Sequence, residues 1–507
     1  MNSARWMLLG FAWLAAASWA WAAEPAGGKV PESALVLLPV AGDPTVSFRI
    51  WFQVGSQDDP PGKEGLAALT ASMLAEGSTR QHSYQQIVDL LYPMAADYSA
   101  STSVEMTVIS GRVHRDNLAG FYRLLSEAIL SPGFRQEDLD RLKSDTLNFL
   151  SNSLRYSSDE ELSKAVLYQE IFAGTPYGHL PAGVIQSVQS ITMDDMRAFY
   201  RAHYTRDNVV IGLGGGYDQA TVDRLRGDLA KLPAGKPAAV PPPSPRPIHG
   251  LHVTIVQKPA TATAISLGYP IDLLRGQPDW YPLAVANSWL GEHRNPASHL
   301  YQVIRDKRGL NYGDYSYIEH FPAGGSLLIP PQNVGRRRQI FEIWIRPVPN
   351  EARQFALRAA VRELALLAER GLTPEEFSLT KSFLGKNVLH YAATTMERLG
   401  YAMDDRFYHV PGSHIELFHR RMGDVTPAQT NAAVKRYLQA DNLQIVIVTR
   451  DAKTLADALV HNTPSPITYP SPKPPAILAE DRLISAYPLK IRPENVKIVP
   501  VEKLFVK

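Results

Sequence analysis

The stretch Gly65-Leu66-Ala67-Ala68-Leu69-Thr70-Ala71-Ser72-Met73-Leu74-Ala75-Glu76-Gly77-Ser78-Thr79 decides the fold of this chain. Leu66, Leu69 and Met73 recur at helical spacing and form one apolar face, so the run predicts a helix packed by that face. Ala68, Ala71 and Ser72 carry no imidazole or carboxylate, so these positions are bare of the groups that move protons or hold metals.

Composition bounds what surrounds this helix. A chain of 507 residues suggests about three units at roughly 150 residues each. With 45% hydrophobic and 20% charged residues it reads as an ordinary globular protein. A net charge of +2 gives no reason to expect nucleic acid or an anionic membrane surface as partner. Arg5, the apolar run Trp6 to Trp19 and Ala20-Trp21-Ala22 read as an export signal over residues 1–22, cut after Ala22. That run is shorter than the roughly 20 residues a spanning helix needs, and no later stretch is long and apolar enough, so no membrane span is expected after cleavage. There is no cysteine, which excludes disulfides, thiolate metal sites and a cysteine nucleophile. Export without cysteine suits the periplasm of a Gram-negative-type bacterium.

The Pro-rich run Lys231-Leu-Pro-Ala-Gly-Lys-Pro-Ala-Ala-Val-Pro-Pro-Pro-Ser-Pro-Arg-Pro247 divides the mature chain as an extended spacer. The expected organisation is an N-terminal half over 23–232, a linker over 233–250, a C-terminal half over 251–462 and a Pro-rich extension over 463–507. The halves echo each other. Glu137-Asp138-Leu139-Asp140-Arg141-Leu142-Lys143 has a counterpart in Glu375-Glu376-Phe377-Ser378-Leu379-Thr380-Lys381, 238 residues on. Thr192 followed by Asp207-Asn208 is matched by Thr426 followed by Asp441-Asn442, 234 residues on, and an apolar strand-like run follows each pair. Ala34 to Pro39 with Val46 to Trp51, and His252 to Val256 with Thr263 to Gly268, each read as a hairpin. Thr192, Thr373 and Thr426 read as helix caps, the last two with proline at the first helical position. Internal duplication follows, each half an α+β sandwich of strands and helices. The apolar positions of the extension need a surface, either this chain's body or a partner.

The helix with its lead-in Asp59-Pro-Pro-Gly-Lys-Glu-Gly65 resembles the zinc-binding helix of the pitrilysin/insulinase family of metallopeptidases. Thr175-Pro-Tyr-Gly-His179, Ser187 to Thr192, Phe199-Tyr200 and Tyr204 to Asn208 follow the family's first-half order. His299-Leu-Tyr-Gln-Val-Ile-Arg305-Asp-Lys-Arg308-Gly-Leu-Asn-Tyr312 is similar to its second-half hallmark. That family carries His-x-x-Glu-His, two imidazoles one turn apart for Zn²⁺ and a base for the bound water. Here the five positions read Ala68-Leu69-Thr70-Ala71-Ser72, and the window for the third, carboxylate ligand, Leu147-Asn148-Phe149-Leu150, is empty. No metal is therefore expected in this chain, and zinc is expected on a partner.

The resemblance implies a fold of two duplicated halves, like that of pitrilysin and the mitochondrial processing peptidase. It also implies that Arg308 and Tyr312 contact substrate across an enclosed chamber. The function expected is a non-catalytic, substrate-binding subunit that pairs with a homologous zinc-bearing peptidase and binds unfolded or short peptides. The alternatives are a peptide-binding or scaffold protein of the same fold with no peptidase partner, and a peptidase active alone. Gly212-Leu-Gly-Gly-Gly216 lacks the residues of a phosphate loop and reads as a strand-end loop. His414 and His419 are five apart and do not share a helix face, and Asp404-Asp405 reads as a solvated face or helix end.

Overall fold

The computed structural model describes residues 29–507, so the export signal expected over 1–22 lies outside the described residues. The first sheet contains β1 (Leu35–Pro39), β2 (Thr45–Phe52), β3 (Asp97–Thr102), β4 (Thr107–His114) and β5 (Val209–Gly215), in the order β1-β5-β2-β4-β3. The second contains β6 (Leu251–Gln257), β7 (Ala262–Ile271), β8 (Asp314–Tyr317), β9 (Gln339–Pro349), β10 (Leu443–Thr449) and β11 (Val496–Pro500), in the order β11-β6-β10-β7-β9-β8. With β11 set aside, the two orders are the same strand for strand, so the duplication is built into the topology.

The expected hairpins do not form. β5 lies between β1 and β2, with Ile211 opposite Leu35 on one side and Ile50 on the other. β10 separates β6 from β7 in the same way. The reason is burial: every residue of β10, and all of β5 but Val210, is buried, and a strand covered on both faces belongs at the centre of a sheet.

Gly212 to Gly215 are part of β5, not a loop beyond it. A Cβ on Gly212 would stand 2.7 Å from Sδ of Met403, and one on Gly214 would stand 3.1 Å from Thr395. The bare strand surface thus seats the Thr395–Tyr408 helix, which comes from the second half. The first half returns the exchange by laying its Asp159–Ile171 helix on β7 and β10, where the hydroxyls of Ser163 and Ser266 are 2.8 Å apart. This crossing corrects the reading of Asp404 and Asp405. Their helix is covered on two sides, so both are buried; Asp404 pairs with Arg275 at 3.3 Å and Asp405 accepts the N–H of His414 at 3.1 Å.

The repeated lysines do the same job in each half. Lys143 donates to the carbonyls of Gln189 and Ile191, both at 2.8 Å, and Lys381 to those of Gly423 and Val425 at 3.0 and 2.8 Å. Each pair of carbonyls ends one helix just before Thr192 or Thr426 caps the next with a reciprocal capping box, as Thr373 also does.

The C-terminal extension buries its apolar side chains on the chain's own body. β11 adds beside β6, while Leu504 and Phe505 enter the first-half core. Arg155 and the N–H groups of Ile185 and Gln186 hold the carbonyls of Leu504, Phe505 and Val506. The Pro-rich linker is tied down by Arg337 on the Val240 carbonyl and Arg338 on that of Pro243. Among the described residues no helix is long and apolar enough to cross a membrane.

Candidate functional site

The Leu66–Glu76 helix starts on a buried carboxylate. Asp59 accepts the N–H groups of Gly65 and Ala67, both at 2.7 Å, and lies 3.1 Å from Nε2 of His179. It thereby satisfies donors that a helix start leaves open. Burial pushes the Asp59 carboxyl up, and His179 and the two N–H groups pull against that rise. Gly65 has φ +102°, and a Cβ there would meet the Ala182 carbonyl at 2.8 Å. Leu66, Leu69 and Met73 are buried, as their spacing predicts.

The opposite face opens on a cavity of about 360 Å³ lined by Ala68, Ala71, Ser72 and Glu76. The facing wall is the Gln136–Asn148 helix and its continuation, through Asp145, Thr146 and Phe149. Of the window Leu147 to Leu150, only Phe149 reaches the cavity; the one carboxylate on this wall is Asp145, largely exposed and 3.9 Å from Arg141. The enclosure has room for a metal ion, but its donors do not fit zinc. Two methyl groups and a hydroxyl stand where imidazoles and a base are needed, and among the described residues no nitrogen ligand lines the cavity. Among the described residues no three His, Cys, Asp or Glu side chains come together as a metal-binding group.

In the second half the structure separates Arg308 from Tyr312, which were expected to act together. The helical turn Tyr301–Asp306 ends just before Arg308, whose side chain folds back beneath it. Nη1 donates to the Val303 carbonyl at 2.7 Å, Nε to Asp481 at 2.8 Å and Nη2 to Glu480 at 2.9 Å. Burial disfavours the charge, but the two carboxylates outweigh it and hold the guanidinium above the ordinary arginine pKa. Both acids come from the Pro475–Ser485 helix of the extension, so Arg308 anchors that helix and presents no side-chain surface to a ligand. The substrate-facing expectation for Arg308 is therefore corrected: its donors are used internally.

Tyr312 is 77% exposed, and the guanidinium beside it is that of Arg305, 5.7 Å from the ring centroid. Among the described residues neither side chain makes a hydrogen bond or ion pair, and Nε of Arg305 is buried without a partner. The signal was present in the hallmark, which contains both arginines; sequence spacing did not reveal that the chain leaves the helix between them. The helical turn ends at Asp306, and Gly309, with φ +70°, then turns the chain after Arg308. His299 stacks on Trp289 at 4.2 Å and lies 2.7 Å from Glu363, a packing role. His414 is buried among Trp280, Tyr281 and Phe418, and His419 is exposed on the Gly385 carbonyl, so they form no common site.

Comparison with known proteins agrees with this geometry. The family described as Insulinase (Peptidase family M16) matches residues 35–179, and that described as Peptidase M16 inactive domain matches 190–384. A protein of Streptomyces coelicolor named an uncharacterized zinc protease is 26% identical over 365 residues, 70% of this chain and 75% of the relative. A protein of Helicobacter pylori named a non-peptidase homolog is 25% identical over 417 residues, 80% of this chain and 89% of the relative. A solved structure of a peptidase M16 inactive domain from Pseudomonas fluorescens superposes with a TM-score of 0.72 at 24% identity, covering 82% of this chain and 95% of that one. A protease structure from Helicobacter pylori gives 0.69 at 16% identity, covering 82% and 96%. These two likenesses concern the fold.

Proposed function

The chain belongs to the insulinase family (peptidase family M16) as an inactive-type member, and from that premise we propose that it is the non-catalytic, peptide-binding subunit of a peptidase pair. One observation carries the reading. Arg305 and Tyr312 stand together, uncommitted, at the surface, while the helix that would hold the metal has no ligands. An exposed phenol and guanidinium fork are suited to a substrate carbonyl and to the negative charge that develops on it, provided another chain supplies the reacting centre. In this proposal Arg305 takes the role first expected of Arg308. The partner's zinc would supply the activated water; this chain would orient the peptide and donate hydrogen bonds.

Peptide binding has a second support. Among the described residues β3 pairs with β4 alone, and its other edge is open beside the 360 Å³ cavity, which Ala100 and Thr102 also line. An extended peptide can add to such an edge through its backbone and place alternate side chains in the cavity. The export signal and the lack of cysteine support a periplasmic site of action.

The test is to mix the purified chain with a homologous zinc-bearing subunit and measure zinc content and peptide hydrolysis for each chain and the mixture. The expected result is zinc on the partner alone and a strong gain in hydrolysis on mixing. Stoichiometric zinc in this chain together with hydrolysis by it alone would overturn the proposal.

A further inference from the structure

Residues of both halves line a second cavity, about 680 Å³, which adjoins the first through Thr102, Phe149, Pro181 and Ala182 and does not include Arg305 or Tyr312. Its wall is largely apolar, with Leu154, Ala165, Leu180, Pro181 and Pro322 among its residues. Arg336 also lines it and is only 1% exposed. The guanidinium lies over the adjacent rings of Phe172 and Tyr177, 4.8 and 4.9 Å from their centroids. Among the described residues its side chain makes no hydrogen bond and no ion pair, and its Nε is buried without a partner.

The nearby acids are already engaged. Glu105 accepts from Tyr177 and from Nε of Arg337, and Glu342 accepts from Tyr168 at 2.9 Å and pairs with Lys164 at 3.2 Å. Glu161, also in the cavity wall, accepts the N–H groups of Ala323 and Gly325 at 3.1 and 3.0 Å. His320 in the same wall is held neutral by burial and by Arg336 and Lys164. Among the described residues Arg336 thus has no direct ion pair; Glu105 and Glu342 act on it only at a distance, and burial outweighs them and presses its pKa down. Ring faces attract a cation but do not use its N–H donors, and buried donors of this kind find an acceptor.

We propose that this cavity is a binding site for an apolar carboxylate, its acid group on the Arg336 guanidinium and its hydrocarbon part along the Leu154 to Pro322 wall. Arginine grips a carboxylate with two parallel N–H donors, and a largely apolar pocket with one well-placed charge is the usual build of a small-ligand site. The volume suits a medium-chain fatty acid or the last residues of a peptide with an apolar C-terminus. The two share the recognised chemistry, and neither requires the partner subunit.

The experiment is calorimetric titration of the full mature chain with octanoate and with N-acetyl-trileucine, each compared with its neutral amide. At least one acid should bind about tenfold or more tightly than its amide, the gap expected of a lost charge-assisted bond. Octanoate binding identifies a free fatty acid as the source, trileucine binding a peptide terminus. Arg336→Met should close the gap, and Arg336→Lys should keep part of it. Equal binding of acid and amide, or a gap that persists in Arg336→Met, overturns the proposal. If Arg336→Met does not fold, a diazirine-bearing octanoate locates the site on the wild-type chain. Labelling of peptides from the cavity wall supports the proposal, and labelling elsewhere overturns it.

Discussion

The two halves follow one plan and differ at the same place. In each, a helix after the second strand lies against an edge strand: Leu66–Glu76 on β3, Trp280–Gly291 on β8. In the second half the contact is tighter. All four residues of β8 are buried, and a Cβ on Gly291 would lie 2.4 Å from the Ser316 nitrogen. In the first half only Tyr98 of β3 is buried, Ala100 and Thr102 are half-buried, and a 360 Å³ cavity remains beside Ala68, Ala71 and Ser72. The corresponding space in the second half, lined by Ala284, Asn287, Ser316 and Tyr317, is about 90 Å³, so the two halves differ in how far this contact opens. The chain has the space of a peptidase site without its ligands, and on the other half an arginine and a tyrosine without a metal to face.

The largest expected effect breaks the comparison on its second side. Tyr312→Phe removes one exposed hydroxyl and should lower partner-dependent hydrolysis about a hundredfold, the usual cost of losing an oxyanion donor. Urea unfolding of the variant should match wild type. Arg308→Met, four residues away, should do the reverse. Leaving Glu480 and Asp481 without their cation should cost about 3 kcal/mol in urea unfolding, discounted from a fully buried pair because Glu480 is partly solvated.

Gly212→Val probes the exchange of helices. Its added Cβ meets Met403 at 2.7 Å and the Arg49 carbonyl at 2.9 Å, so a loss of about 2 kcal/mol is expected, read by chemical denaturation. Asp405→Asn reads the buried face of the same helix through pH. Burial raises the Asp405 carboxyl from 3.8 to about 7, and its Oδ1 has no hydrogen-bond partner among the described residues. The folded form therefore holds a proton that the unfolded chain releases, so this group's contribution falls as pH rises from about 4 to about 7. The variant should flatten the melting-temperature profile across that window and gain most above it. The smallest effects are a matched pair: Lys143→Met and Lys381→Met should each cost about 1 kcal/mol. Unequal losses would show that the two halves do not share this device.

Much of the fold was legible because it rests on local chemistry. The capping threonines, the lysines at equal offsets and the paired Asn208 and Asn442 carry the duplication on their own. What was not legible depends on non-local contact. The place of β5 between β1 and β2 is set by its burial on both faces, which a turn signal between its neighbours conceals. Gly212 and Gly214 look like loop residues until the Thr395–Tyr408 helix is laid on them. Arg308 and Arg305 are equivalent on paper, and they part because the helical turn ends at Asp306, between them, and because Glu480 and Asp481 arrive from the far end of the sequence. The apolar residues of the extension, open in sequence to either a partner or the body, pack on the body.

In the proposed pair this chain contributes substrate contacts through Arg305 and Tyr312 and no metal chemistry. The most direct test is the peptide-hydrolysis rate of the reconstituted pair with Arg305→Ala, measured beside its thermal stability. The account predicts a rate lower by about tenfold or more, as for loss of a charge-assisted hydrogen bond to substrate, with an unchanged melting temperature. A wild-type rate from that variant, in a pair whose zinc-bearing subunit is fully loaded, would contradict it.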